Sequence, residues 1–156
     1  MAVQVLIVDD SEDFRSLLRR RLESYGAVVV AEASNSREGL KLFRATRPQL
    51  VTLDLMMADS PELMPQDLFR QIRRESPLTA VVIVSVQRAA INAQRFLSEG
   101  ALAYWEKSFI NFDDVRRRLS HVFPDMSRRL PTAAVRRHAT LTQRISESMS
   151  RAPQHH

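Results

Sequence analysis

The chain has 156 residues, 44% hydrophobic and 26% charged, and no cysteine. That suits one soluble domain, or one domain with an appendage, and excludes disulfides, thiol catalysis and thiolate metal sites. No apolar run approaches the ~20 residues of a membrane span, and the N-terminal MAVQVLIVDD lacks the basic segment of a secretory signal, so a cytoplasmic protein is expected. The formal charge of +5 is unevenly placed: residues 1–110 carry 14 basic and 14 acidic side chains, whereas residues 111–156 carry nine arginines against four acids. The imbalance therefore belongs to a C-terminal segment and not to the main body.

In chain order, Val3 to Val8 is a short run rich in β-branched residues that stops at Asp9-Asp10. Phe14, Leu17, Leu18 and Leu22 then recur at helical spacing up to Tyr25-Gly26. Ala27 to Ala33 reads as a second strand and Ser36 to Thr46 as a helix with Leu40 and Phe43 inward. Leu50 to Leu55 is the third strand, followed by a loop with Pro61 and Pro65 and a helix over residues 66–75. AVVIVSV, from Ala80 to Val86, is continuous in the way of a fully buried parallel strand. Residues 89–99 form a helix ended by Gly100, Ala101 to Glu106 a fifth strand, and Asn111 caps a last helix carrying Phe112, Val115, Leu119 and Val122.

Five successive strand–helix units predict a doubly wound α/β domain, because parallel strands need crossover connections and these place helices on both faces. Ligands of such sheets bind beyond the C-terminal strand ends. At those ends stand Asp9 and Asp10, Asp54, Ser85 and Lys107. A single acid there can be a helix cap or a solvated turn; three carboxylates, a hydroxyl and an ammonium brought to one edge call for another explanation. Clustered carboxylates repel unless a cation holds them, and oxygen donors with water access suit Mg2+. Residue usage also singles out Lys107: the chain has 21 arginines and only two lysines, the other being Lys41 on a helix surface. A compact ammonium fits where a guanidinium fork does not.

The stretches VLIVDDSEDFRSLLRRRLE, VVAEASNSREGL, PQLVTLDLMM, VVIVSV and GALAYWEKSF, in this order and spacing, resemble the receiver (CheY-like) domains of two-component response regulators. The resemblance covers residues 3–123 and implies a flavodoxin-like five-stranded parallel sheet of order 2-1-3-4-5. It implies that Asp54 accepts a phosphoryl group from a phosphohistidine donor. Asp10, Asp54 and the carbonyl of Met56 would bind Mg2+ directly, and Asp9 would do so through water. Lys107 would pair with a phosphoryl oxygen, Ser85 would donate its hydroxyl to another, and Tyr104 would be the aromatic that turns inward with Ser85. A histidine kinase or phosphotransfer protein would be the donor, and a downstream protein the reader of the switch.

Departures from the family pattern leave the core residues intact. Ser108 stands where a proline usually follows the lysine, which leaves the geometry of that peptide open. Ala58 replaces another proline, and the loop ADSPELMPQ is about one residue longer than in the shortest relatives. Met56 and Gln87 occupy places that influence hydrolysis of the phosphoryl group; Met56 cannot orient a water, which favours slow decay.

Other readings fit less well. A haloacid-dehalogenase-like phosphatase needs an aspartate where Met56 stands, and three glycines in all exclude G-x-G-x-x-G and P-loop motifs. A phosphate-independent docking module of the same fold, or the receiver piece of a larger DNA-binding regulator, remains an alternative. The expected organisation is a receiver domain over residues 1–123 and a basic extension over 124–156. Within the extension Thr132 could cap a helix with Val135, His138, Leu141, Ile145 and Met149 as its stripe. Homodimerisation, or a weak nucleic-acid contact through this extension, is left open; His121 and His138 are read as solvated.

Overall fold

The computed structural model describes residues 2–59, 61–86 and 90–127. Gln87, the helix expected from Thr132 and residues 128–156 of the basic extension lie outside them. Ten elements alternate: β1 (Gln4–Val8), α1 (Glu12–Ser24), β2 (Val28–Ala33), α2 (Ser36–Thr46), β3 (Leu50–Leu53), α3 (Pro65–Glu75), β4 (Ala80–Ser85), α4 (Ala90–Ser98), β5 (Ala103–Glu106) and α5 (Phe112–Val122). All strand pairs are parallel and the order is β2-β1-β3-β4-β5, the flavodoxin-like arrangement expected.

Period-two alternation within mainly apolar strands feeds two cores, one per face. Val5, Ile7, Leu50, Val82 and Val84 pack with Leu18 and Leu22 of α1 and Val115 and Leu119 of α5. Leu6, Val8, Val51, Leu53, Val81 and Ile83 meet Phe43, Leu68, Phe69, Ile72 and Phe96 from α2, α3 and α4. On the second face the approach is close. A Cβ on Gly39 of α2 would lie 3.1 Å from Leu68 Cδ2 and 3.2 Å from both methyls of Val8.

Helix boundaries follow from caps. The Ser11 hydroxyl accepts from Phe14 N–H at 3.3 Å, Asn35 Oδ1 from Glu38 N–H at 2.8 Å, and Asn111 Oδ1 from Asp113 N–H at 3.0 Å. Beyond α4, Gly100 takes φ +105°, as expected of a residue that ends a helix in the left-handed region.

Most boundaries move by one residue at most; three departures from the periodicity are larger. β3 stops at Leu53: the Asp54 amide still donates to the Val8 carbonyl at 2.9 Å, and the Asx turn on its carboxylate then carries the chain out of the sheet. β5 begins at Ala103. Val122, read as inward, is 45% exposed: the chain turns back after α5, and Met126 in the 3₁₀ turn Pro124–Ser127 fills that end of the first core.

Candidate functional site

Asp9 and Asp54 both follow apolar strands, and each closes its strand in the same way. Asp9 Oδ1 accepts from Ser11 N–H at 2.9 Å, and Asp54 Oδ1 accepts from Met56 N–H at 3.0 Å. These are Asx turns, in which the side chain substitutes for the next backbone partner. The turn leaves each Oδ2 aimed across the sheet edge. Both carboxylates are 2% exposed, while Asp10 is exposed. One oxygen from each of Asp9, Asp10 and Asp54 lies within 4.8 Å of the others.

Lys107 arrives from the end of β5. Its ammonium lies 2.6 Å from Asp9 Oδ2 and 3.2 Å from Asp54 Oδ2, with its side chain 13% exposed. It begins a 3₁₀ turn, Lys107–Phe109, and the peptide to Ser108 is trans, since no cis bond occurs among the described residues. Serine in place of proline therefore leaves the lysine reaching into the site. Burial pushes the Asp54 carboxyl above its ordinary value and the Asp9 charge adds to this; the Met56 amide and Lys107 oppose it. Such a carboxylate gains from any further cation. Three hard oxygen donors of net negative charge, partly open to water, fit a divalent ion such as Mg2+.

Ser85, at the end of β4, is fully buried, and Tyr104 stands on β5 beside it. Burial raises the Tyr104 phenol above its usual value, against a hydrogen bond with Ser85 that lowers it. The phenol ring also lies 6.5 Å from Phe96, which packs edge-on to Phe69 at 5.2 Å. Met56 sits at the rim, 45% exposed. Six of the seven residues expected at the site come from the C-terminal strand ends or the loops that follow them, and Tyr104 stands within β5.

Three further residues belong to this neighbourhood. Phe14 presents its ring 4.5 Å below the Lys107 ammonium. Arg15 donates from Nη1 to the Asp9 carbonyl at 2.6 Å and lies 3.5 Å from Glu32. Asp59, in the loop after β3, accepts from both the amide and the hydroxyl of Ser36 at the start of α2. Phe14 and Arg15 carried a weak signal, since the first turn of α1 must overlie the strand ends; Asp59 carried none.

The sequence matches the family described as response regulator receiver domain over residues 5–120. It is 36% identical over 108 residues to protein-glutamate methylesterase/protein-glutamine glutaminase 3 of Hahella chejuensis, covering 67% of this chain but 30% of that protein. With the chemotaxis protein CheY of Thermotoga maritima it shares 28% identity over 109 residues, 70% of this chain and 88% of the other. A response regulator receiver domain protein from Clostridium thermocellum superposes with a TM-score of 0.68 at 28% identity, over 80% of this chain and 95% of that one. The chain therefore spans less than a third of the methylesterase and most of the CheY. The two-core sheet, the acids at its C-terminal edge and this match through most of the described residues agree: the chain belongs to the response regulator receiver domain family.

Proposed function

We propose that this receiver is a phosphoryl-accepting switch of phosphorelay signalling, with Asp54 as acceptor. A carboxylate oxygen of Asp54 attacks the phosphorus of a phosphohistidine on a histidine kinase or phosphotransfer protein. The P–N bond breaks, the imidazole leaves with the electron pair and takes a proton, and an aspartyl phosphate remains. Both reactants are negative, so positioning and charge neutralisation carry the reaction. Asp10, Asp54 and the Met56 carbonyl would hold Mg2+ directly and Asp9 through water; when bound, the ion would neutralise phosphoryl oxygens. Lys107 covers a further oxygen with its ammonium. Ser85 donates its hydroxyl to a third, and Tyr104, already hydrogen-bonded with Ser85, follows it. That movement biases the surface of α4, β5 and α5 between two states that a protein partner reads.

The observation that carries this reading is the Lys107 ammonium held between two buried carboxylates at 2.6 and 3.2 Å. That is a cation standing where anionic oxygens are to be gathered. Intact-mass measurement after incubation with acetyl phosphate and Mg2+ tests it. The expected result is an adduct of ~80 Da, released by hydroxylamine and absent from Asp54→Asn. An adduct that survives the substitution removes the assignment.

A further inference from the structure

The Lys107 ammonium has a third neighbour besides its two carboxylates. Phe14 turns its ring face to it, with the centroid 4.5 Å away. Contacts then close a circuit. Lys107 is 2.6 Å from Asp9 Oδ2, Asp9 Oδ1 accepts from Ser11 N–H, and the Ser11 hydroxyl accepts from Phe14 N–H. Phe14 is itself wedged against the α1 and α5 face of the core. The hydrogen bonds tie the start of α1 to Asp9, and with the core packing they place the ring against the apolar side of the lysine head.

We propose that Phe14 is a positioning residue for Lys107, holding the ammonium by a cation–π contact while its anionic partners change. The inference rests on reading Lys107 as the group that meets the phosphoryl oxygens. A divalent cation at the acidic edge competes with the bridge from Lys107 to Asp9 Oδ2, because the ion, held by Asp9 through water, and the ammonium are both positive charges drawn to the same carboxylate. An aromatic face offers nothing to a hard, hydrated divalent ion, so that contact survives when the bridge is given up. A lysine has four flexible methylenes; without the ring, an ammonium released from Asp9 swings into water and must be reordered for each transfer.

Two measurements test this, and they fail separately. The first uses the scarcity of lysine: with only Lys41 and Lys107 present, their side-chain NMR signals are distinguished at sight. The Lys107 ε-methylene protons should be shifted upfield by the ring and return to the position of Lys41 in Phe14→Leu. Unshifted protons in the native protein overturn the contact, whatever the fate of phosphorylation. The second replaces Phe14 by mono-, di- and trifluorophenylalanine, which keep the ring's shape while stepwise weakening its attraction for cations. The rate of Asp54 phosphorylation by acetyl phosphate should fall with each fluorine, about tenfold over the series, the scale of a desolvated cation–π contact. Mg2+ affinity and melting temperature should stay level. A flat series with a normally phosphorylated native protein overturns the role of Phe14 and leaves the acceptor assignment standing; no phosphorylation of the native protein overturns that assignment and with it the role built on it.

Discussion

Lys107 lies closer to Asp9 than to Asp54, Nζ to Oδ2 being 2.6 Å against 3.2 Å. The lysine thus serves as the internal counter-ion of the acidic edge. A divalent cation must compete with it for Asp9. Lys107→Ala should therefore bind Mg2+ more tightly than the native protein, on the order of tenfold, allowing for solvent screening of a contact worth several kcal/mol at short range. Calorimetric titration measures this. Equal or weaker affinity would show that the lysine assembles the carboxylates and does not compete for them. The same variant should gain no conformational response when phosphorylated, since the group proposed to meet the phosphoryl oxygen is gone.

Asp54 makes the stability of the metal-free protein depend on pH in a defined direction. Its carboxyl is raised above the ordinary 3.8, chiefly by burial and next by Asp9. A raised folded-state value means that the native state binds the proton more tightly than the unfolded chain. The contribution is then complete below the unfolded value and is lost as pH rises through the folded one. At neutral pH the ionised group is a cost. Asp54→Asn removes the charge, and its amide oxygen can still accept from Met56 N–H. In a chelating buffer the variant should melt above the native protein at pH 7 and lose this advantage on acidification toward pH 4. A gap constant with pH would be incompatible with this account, and saturating Mg2+ should shrink it by stabilising the native protein selectively.

The positions of these groups could be read from the chain because Asp9, Asp54 and Ser85 each close a short apolar run rich in β-branched residues, and Lys107 closes the short aromatic run of the fifth strand. Strand ends of a parallel sheet share one edge, so Asp9, Asp54, Ser85 and Lys107 were gathered by topology alone. What the chain order concealed were side-chain partners between elements. Asp59 and Ser36 are 23 positions apart, and neither stands at a strand end. Phe14 looked like one more apolar residue of the α1 stripe, since a helical period gives the face of a residue and not its neighbour at the end of β5. Val122 fitted the α5 period but is exposed, because periodicity is blind to where the chain turns back and lets Met126 into the core. The expected third strand likewise ran two residues too long: Leu55 is apolar, but the Asx turn at Asp54 withdraws it from the ladder.

Gly39 should resist enlargement despite its helical setting. Alanine at an internal helix position is favoured over glycine by about 1 kcal/mol. Here the added Cβ would lie 3.1 Å from Leu68 Cδ2 and 3.2 Å from both Val8 methyls. Val8 and Leu68 are fully buried, so neither can swing aside. Overpacking of this kind costs ~1–3 kcal/mol, which offsets or exceeds the gain. Gly39→Ala should be destabilised in urea unfolding, and because Val8 immediately precedes Asp9, its Mg2+ affinity should fall as well. A variant more stable than the native protein would mean that α2 can lift from the sheet at little cost.

Asp59 ties the loop after Asp54 to the start of α2. Its two carboxylate oxygens accept from the Ser36 amide, at 2.9 Å, and from the Ser36 hydroxyl, and Ser36 is fully buried. A negative charge at this helix end is also favoured by the exposed amides of the first turn. Asp59→Ala leaves two buried donors without their acceptor, a loss of ~1–3 kcal/mol, while Asp59→Asn keeps one acceptor and should lose less than half as much. The tether also acts on the site. The Asp59 amide donates to the Met57 carbonyl at 2.9 Å, so the anchored segment runs directly into Met56, whose carbonyl is the proposed third protein ligand. Freeing it should weaken Mg2+ binding by a few fold in Asp59→Ala, beyond what Asp59→Asn shows, with the Asp9, Asp10 and Asp54 carboxylates unchanged. If urea unfolding registers the loss while the Mg2+ titration of Asp59→Ala overlays the native curve, the loop is anchored for stability alone and the Met56 carbonyl is not among the ligands.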